Sequence, residues 1–387
     1  MHGDASSGGR VRCTVWTIDS ERGRPFRSGV SPFPIFLSRR FWIGMRQLLN
    51  TLYVTTSPAY LHLDHDTVRM EVEGKKKAQI PLHHLGAIVL LGNILVSPAL
   101  MGRCGRDGRT LVFLTHTGRF RARVVGAQSG NVLLREAQFE NARDPSRAAA
   151  IARAIVAGKV QNSRRVLVRA ARRAKNEDAK GDLQRAIDRM ADRLGPLENE
   201  ATLERIRGHE GTAAKAYFRV FPHLIRHNTD AFAMNGRSRR PPRDRINAVL
   251  SFLYTLLCND CVAAAEGVGL DPQVGFLHAL RPGRPAAALD LMEELRAPLV
   301  DRLTLSLINR RQLKPDDFQE REGGAVLLNE DGRKAVVTAY QERKQETITH
   351  PVLDREMEIG LLPHIQARLM ARYLRGDTES YIPYLLR

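Results

Sequence analysis

Three short segments of this 387-residue sequence carry side chains able to act on a substrate. The first is Arg207–Phe218 (RGHEGTAAKAYF), which sets Glu210 between two glycines. Gly208 is expected to end one helix and leave Glu210 at the mouth of the next, where the helix dipole favours a carboxylate. The second is Gly275–His278 (GFLH), after the GLDP turn at 269–272, which brings His278 to the edge of an ALRPGRP loop. The third is Leu289–Arg296 (LDLMEELR), a helix start on which Asp290, Glu293 and Glu294 share a broad face by the i, i+3, i+4 rule. Singly, each is ordinary: a lone histidine is more often a core or surface residue, and acids clustered on a helix are usually solvated. Together they offer one imidazole and two or three carboxylates. That set suits Mg²⁺ or Mn²⁺ with water positions open, whereas a four-coordinate structural zinc site would want more nitrogen and sulfur.

The charge balance says what such a site would face. Sixty Lys and Arg against 42 Asp and Glu give +18, an excess that attracts polyanions. A helix from Arg147 carries Arg153, Lys159, Arg164, Arg165, Arg169, Arg172, Arg173 and Lys175 with no acid before Glu177, and a second basic cluster spans Arg237–Arg245. Runs this one-sided repel themselves unless phosphates answer them, so both are read as DNA-backbone contacts rather than as solvated faces. In a chain this basic, an acidic cluster needs a reason, and a divalent cation bridging carboxylates to a phosphodiester is one. An anionic membrane surface is the poorer partner, since aromatics are 6% and no run of about 18 apolar residues stands out. Four cysteines form no disulfide framework, which fits a reducing cytoplasm. The CxxC pair Cys258 and Cys261 sits in the apolar run Val249–Ala265 without a second pair, and is read as two buried helical cysteines.

The elements that position these residues fall into an α+β, two-domain arrangement. From Leu48 to about Leu134 the pattern is short, alternating and turn-punctuated, as in YLHL and VRMEV, which reads as a compact sheet or sandwich with one short helix near Ser97–Cys104. Asp107-Gly108 and Thr117-Gly118 read as hairpin turns. From Asp144 or Ser146, either of which can cap a helix, almost everything reads as helix, and Gly323–Val337 (GGAVLLNEDGRKAVV) looks like a hairpin interrupting it. The expected layout is a β-rich domain over 45–140 and a larger helical domain over 141–387, which carries the metal and DNA sites. Residues 1–44 mix Gly, Ser, Pro and Arg without periodicity and lack a signal peptide's apolar core. They are read as a disordered arm or an upstream mistranslation, with Met45 as the native start.

The order of motifs is more specific than any one of them. GHEGTAAKAYF, then NGRSRRPPRDRINAVLSFLY, then GLDPQVGFLH, then LDLMEELRAPLVDRL resembles the CRISPR-associated integrase of spacer acquisition, over Met45–Arg387. MRQLLNTLYVTT and GFLHALRPGRPA look closest to its subtype I-C branch. The resemblance implies an N-terminal β domain with a C-terminal helical one, and Mn²⁺ or Mg²⁺ held by Glu210, His278 and Glu293, with Asp290 and Glu294 bracing them. It also implies a homodimer that pairs with a small ferredoxin-like companion, captures foreign DNA and inserts it into the repeat array. Lys215, Arg237, Arg239, Arg240, Arg164 and Arg165 are the expected phosphate contacts. Tyr217 would stack on a base or orient a phosphate, with a packed core residue as the alternative. Three other readings stay open: a stand-alone metal-dependent endonuclease, a non-enzymatic DNA-binding protein and an RNA-binding protein.

Overall fold

The computed structural model describes residues 50–115, 120–127 and 132–386, with four short strands before them. Those strands are β1 (Val11–Arg12), β2 (Trp16–Ile18), β3 (Pro25–Arg27) and β4 (Pro34–Ile35), paired antiparallel as β1 with β4 and β2 with β3. The reading of 1–44 as a foreign stretch falls mostly outside the described residues, as does the Thr117-Gly118 turn.

The N-terminal part of the chain is a small β-sandwich. One sheet holds β6 (Ala59–Asp64), β7 (Thr67–Val72), β8 (Lys75–Pro81) and β10 (Ile94–Val96), in the order β10-β6-β7-β8. The other holds β5 (Asn50–Val54), β9 (Leu85–Leu91), β11 (Thr110–Leu114) and β12 (Phe120–Val124), in the order β12-β11-β9-β5. Both are mixed: β10 runs parallel to β6, and β9 parallel to β5 and β11. Leu61 and Val68 of one sheet share a core with Ile88, Leu90 and Leu111 of the other, which is the outcome the period-two alternation predicts. Helix α1 (Pro98–Arg106) closes one end, with Ser97 accepting the amide of Leu100 as its cap. Asp107-Gly108 turns this helix into β11 and is not a hairpin turn.

The rest is mainly helical. Helix begins at α2 (Val132–Arg143), before the Asp144 cap that the sequence singles out. Then come α3 (Pro145–Ala171), α4 (Glu177–Ala191), α5 (Leu194–Glu198), α6 (Leu203–Val220) and α7 (Arg245–Val268). Next are α8 (Ala286–Glu293), a wider π-helical turn over Arg296–Asp301, and α9 (Arg302–Asn309). A hairpin of β13 (Phe318–Arg321) and β14 (Ala325–Leu328) precedes α10 (Glu330–Gln345), and α11 (Leu362–Leu374) follows the strands β15 (Thr347–His350) and β16 (Arg355–Glu358). The expected hairpin over 323–337 is therefore displaced: the turn is Gly323-Gly324, and Asn329 caps a helix by accepting the amide of Gly332. Asp331-Gly332 looks like a turn in sequence, but Gly332 is there for space. A Cβ on it would lie 2.4 Å from the Asp317 carbonyl oxygen.

Contrary to the expectation of no apolar run of about 18 residues, helix α7 is long and apolar enough to cross a membrane by length and composition. Thirteen of its residues are buried, against α8, α11 and their neighbours, so it is the core helix of this part of the molecule. Cys258 and Cys261 lie on it as free thiols, Cys261 buried as expected and Cys258 half-buried, and desolvation pushes the Cys258 thiol up to about 11. The sandwich and the helices are joined by the Arg123–Glu266 ion pair at 2.5 Å and by Gln341, which donates to the Thr51 carbonyl.

Candidate metal centre

The site is built on α3, α6, α8 and the loop after α7. That loop starts at Gly269, whose φ of +91° caps α7 in the left-handed region, so the chain turns back towards α8. Gln138 on α2, fully buried, latches it: its oxygen accepts the Asp271 amide, and its nitrogen donates to the carbonyls of Asp271 and Val274. Gly275 then presses on α8 so closely that a Cβ would lie 2.6 Å from the Ala286 carbonyl carbon. This approach delivers the amides of Phe276, Leu277 and His278 to the Asp290 carboxylate at 2.6, 3.0 and 3.0 Å. His278 Nδ1 donates to the same carboxylate at 2.6 Å. The imidazole is thus fixed with Nε2 free, 3.5 Å from Glu293 Oε1.

Glu293 ends α8 and is 3% exposed. Burial pushes its carboxyl up, but Arg296, Lys159 and His278 outweigh that and hold it down at about 2. Arg296 Nη2 lies 2.8 Å from Oε1, and Lys159 Nζ 2.6 Å from Oε2. Lys159 also donates to Glu210 on α6, so its ammonium sits between the two carboxylates.

Glu210 is not at a helix mouth. Helix α6 runs through Gly208 and Gly211 because Ile206, Ala213, Ala216, Tyr217 and Val220 continue one buried face across them. Open space surrounds both glycines, so neither ends the helix nor serves a close contact. Each costs the helix about 1 kcal/mol, which the packed face offsets.

Lys159 thus draws Glu210 and Glu293, from separate helices, to one ammonium, and His278, braced by Asp290, faces Glu293. Glu294 does not join them. Helix α8 ends at Glu293, so the next side chain turns away, accepting hydrogen bonds from Tyr381, Gln366 and the Tyr384 amide. Burial pushes its carboxyl up to about 7. Tyr217 packs in the core, donating to Asp301 at 3.0 Å beside Tyr254 at 2.6 Å, and presents no free face to a base. Arg237 is likewise engaged, donating to Asn247 at 2.6 Å and lying over the Tyr254 ring at 5.4 Å. Arg164 packs against α4 through the Ile187 carbonyl. Lys215, Arg165, Arg239 and Arg240 are exposed, and Arg239 reaches the pocket that also exposes Lys159, Glu210 and Arg296.

Lys159 is the residue that the sequence reading counted only among the charges of a basic helix. Its signal was present: it falls three residues after Val156, four after Ile155 and seven after Ala152, all buried. A lysine on the apolar face of a helix must find an anion.

Among the described residues, no three His, Cys, Asp or Glu side chains are already arranged as a metal cage. The donor set nonetheless fits a hard divalent cation. Two carboxylates flank a point already occupied by positive charge, an imidazole nitrogen lies beside one of them, and the buried Glu293 Oε2 has no well-directed hydrogen bond despite its nearby ammonium.

The sequence model of the family described as CRISPR associated protein Cas1 matches residues 52–342. The chain belongs to the Cas1 family. A CRISPR-associated endonuclease Cas1 of Moorella thermoacetica is 55% identical over 343 residues, 89% of this chain and 100% of the relative. One from Rhodospirillum rubrum is 51% identical over 344 residues, 88% of this chain and 99% of its own. Such relatives make the chain an enzyme of the CRISPR endonuclease and integrase class. The sandwich-plus-helices fold recurs in a Cas1 protein from Thermotoga maritima, at a TM-score of 0.72 and 22% identity over 86% of this chain and 99% of that one. It recurs also in a casposase bound to an integration product, at 0.75 and 20% over 86% and 93%.

Proposed function

We propose that Glu210, His278 and Glu293 hold one Mg²⁺ or Mn²⁺, and that the chain uses this centre to insert captured DNA fragments into the repeat array and to cleave DNA. The observation that carries the site is the convergence of two carboxylates from separate helices on a single cationic point, with a pre-oriented imidazole beside Glu293. Bound there, the divalent ion supplies Lewis-acid activation of a phosphodiester and of the hydroxyl that attacks it.

The chain's own groups do the rest. Asp290 holds His278 Nδ1 protonated and so presents Nε2 to the centre. Arg296, buried beside Glu293, keeps that carboxylate ionised. The exposed cations Arg239, Arg240, Lys215 and Arg165 are placed along the phosphates of a duplex, fixing its position without reading its sequence. In strand transfer a fragment's 3′-hydroxyl displaces a 3′-oxygen of the repeat, so one phosphodiester forms as another breaks. In cleavage, water takes the hydroxyl's place.

Part of a chain in a solved Cas6-RT-Cas1–Cas2 complex has this fold, at a TM-score of 0.75 and 22% identity over 89% of this chain and 37% of that one. On that likeness the partner is a Cas2-type companion, the small ferredoxin-like protein of the sequence reading, joined to a homodimer of this chain. MRQLLNTLYVTT and GFLHALRPGRPA support the subtype I-C assignment, and the assembly is placed in the cytoplasm.

A strand-transfer assay tests the proposal, using the companion, a labelled duplex with free 3′-hydroxyls and a plasmid bearing the repeat. Label should join the plasmid with Mn²⁺ and wild type, and not with EDTA or His278→Ala. Cleavage without joining would favour the stand-alone endonuclease. Binding alone, indifferent to EDTA, would sink the metal site.

A further inference from the structure

Lys159 is a half-buried cation to which the reaction above gives no task. It projects from the middle of α3 one residue after Gly158, where a Cβ would lie 2.7 Å from the Pro383 Cβ. The helix is pinned at this level by the packed tail, so movement is left to the four-carbon side chain of Lys159. The ammonium meets Glu210 on α6 and Glu293 on α8, and both are the proposed metal ligands. Arg296 is held differently. Its guanidinium also lies over the Tyr254 ring at 5.2 Å, in a buried setting that fixes it whether or not Glu293 has another partner.

As it stands, the carboxylates of Glu210 and Glu293 face Lys159 and Arg296, with the Asp290 carboxylate behind His278. A divalent ion entering with Lys159 in place would set four positive charges against these three carboxylates at close range. We propose that Lys159 is a placeholder cation, which neutralises Glu210 and Glu293 until a divalent ion arrives and must leave their carboxylates for the ion to bind. The departing ammonium has somewhere to go, because Lys159 borders the open pocket shared with Arg239. The placeholder keeps two carboxylates on separate helices from repelling each other, and lowers apparent metal affinity by the cost of its displacement. This inference rests on the metal-site reading above.

Mn²⁺ is titrated calorimetrically into the full chain, without DNA, for wild type, Lys159→Met and His278→Ala. His278→Ala should weaken binding. Lys159→Met should tighten it by about tenfold or more, the opposite sign to that of a residue that merely supports the site. A second readout uses the wild type alone: acylation of Lys159 by acetic anhydride, followed by mass spectrometry, should be slow in EDTA and faster with saturating Mn²⁺. If Lys159→Met fails to melt cooperatively, this labelling decides. Equal or weaker Mn²⁺ affinity in a folded Lys159→Met, or labelling that is unchanged or slowed by Mn²⁺, overturns the placeholder and leaves the metal site standing. Absent Mn²⁺ binding in wild type, or binding untouched by His278→Ala, overturns the site and the placeholder together.

Discussion

Asp290 accepts four hydrogen bonds, three from consecutive amides and one from His278 Nδ1, and so sets the loop and the imidazole at once. Asp290→Asn keeps the shape but offers one oxygen fewer and a competing donor. Steady-state kinetics should show activity falling about 10- to 100-fold, and urea unfolding a loss of about 1–3 kcal/mol. Wild-type activity in this variant would mean that the histidine needs no brace. Asp301 gives a test by pH. Burial pushes its carboxyl up to about 6, although Tyr254, Tyr217, Arg237 and Arg296 pull the other way. Its folded value lies above the unfolded one, so the folded chain binds the extra proton between about pH 4 and 6, and stability falls as pH rises through that window. Two pKa units amount to about 3 kcal/mol at most, and Asp301→Asn should flatten the melting temperature across that range. An unchanged slope would place the titration elsewhere. At this scale the sequence was legible where residue type and order coincide, as for Glu210, His278 and Glu293. It was silent on Lys159, because the residue that answers it lies 51 positions away and charge counting assigned it to DNA.

Glycines show what was illegible at the scale of elements. In α6, Gly208 and Gly211 look like a helix end and a restart, yet packing of one continuous buried face decides, and neither has an atom within 4 Å of its absent Cβ. Gly208→Ala and Gly211→Ala should each stabilise the fold by up to about 1 kcal/mol in urea unfolding. Gly275 is the reverse case. A Cβ there meets Ala286 backbone, so Gly275→Ala should destabilise by 1 kcal/mol or more, at about the level of other overpacking changes, and pull the histidine loop off Asp290. Destabilisation at Gly208 or Gly211, or none at Gly275, would show that contact does not govern these positions. The same lesson applies to Asn329-Glu-Asp-Gly332, where a turn-like dipeptide is a helix's first turn because Gly332 must lie against Asp317. The sandwich was the more legible part, because strand alternation is a local signal and its core follows from it.

For the whole molecule, the +18 charge divides into a part used inside and a part offered outside. On α3, Arg153 donates to the Glu200 carbonyl, Lys159 to Glu210 and Arg164 to the Ile187 carbonyl, while Arg165 and, past the end of the helix, Arg172, Arg173 and Lys175 are exposed. DNA affinity should fall steeply with salt, and Arg172→Glu with Arg173→Glu should weaken binding and reduce the slope by about two. A slope that does not change would put the duplex on another face. The central claim is that Glu210, His278 and Glu293 hold one divalent ion. Anomalous diffraction from crystals of the full chain grown with Mn²⁺ tests it most directly. The account predicts a peak about 2.0–2.6 Å from a carboxylate oxygen of Glu210, one of Glu293 and His278 Nε2. A peak elsewhere, with Lys159 still bridging the two glutamates at saturating Mn²⁺, would contradict it.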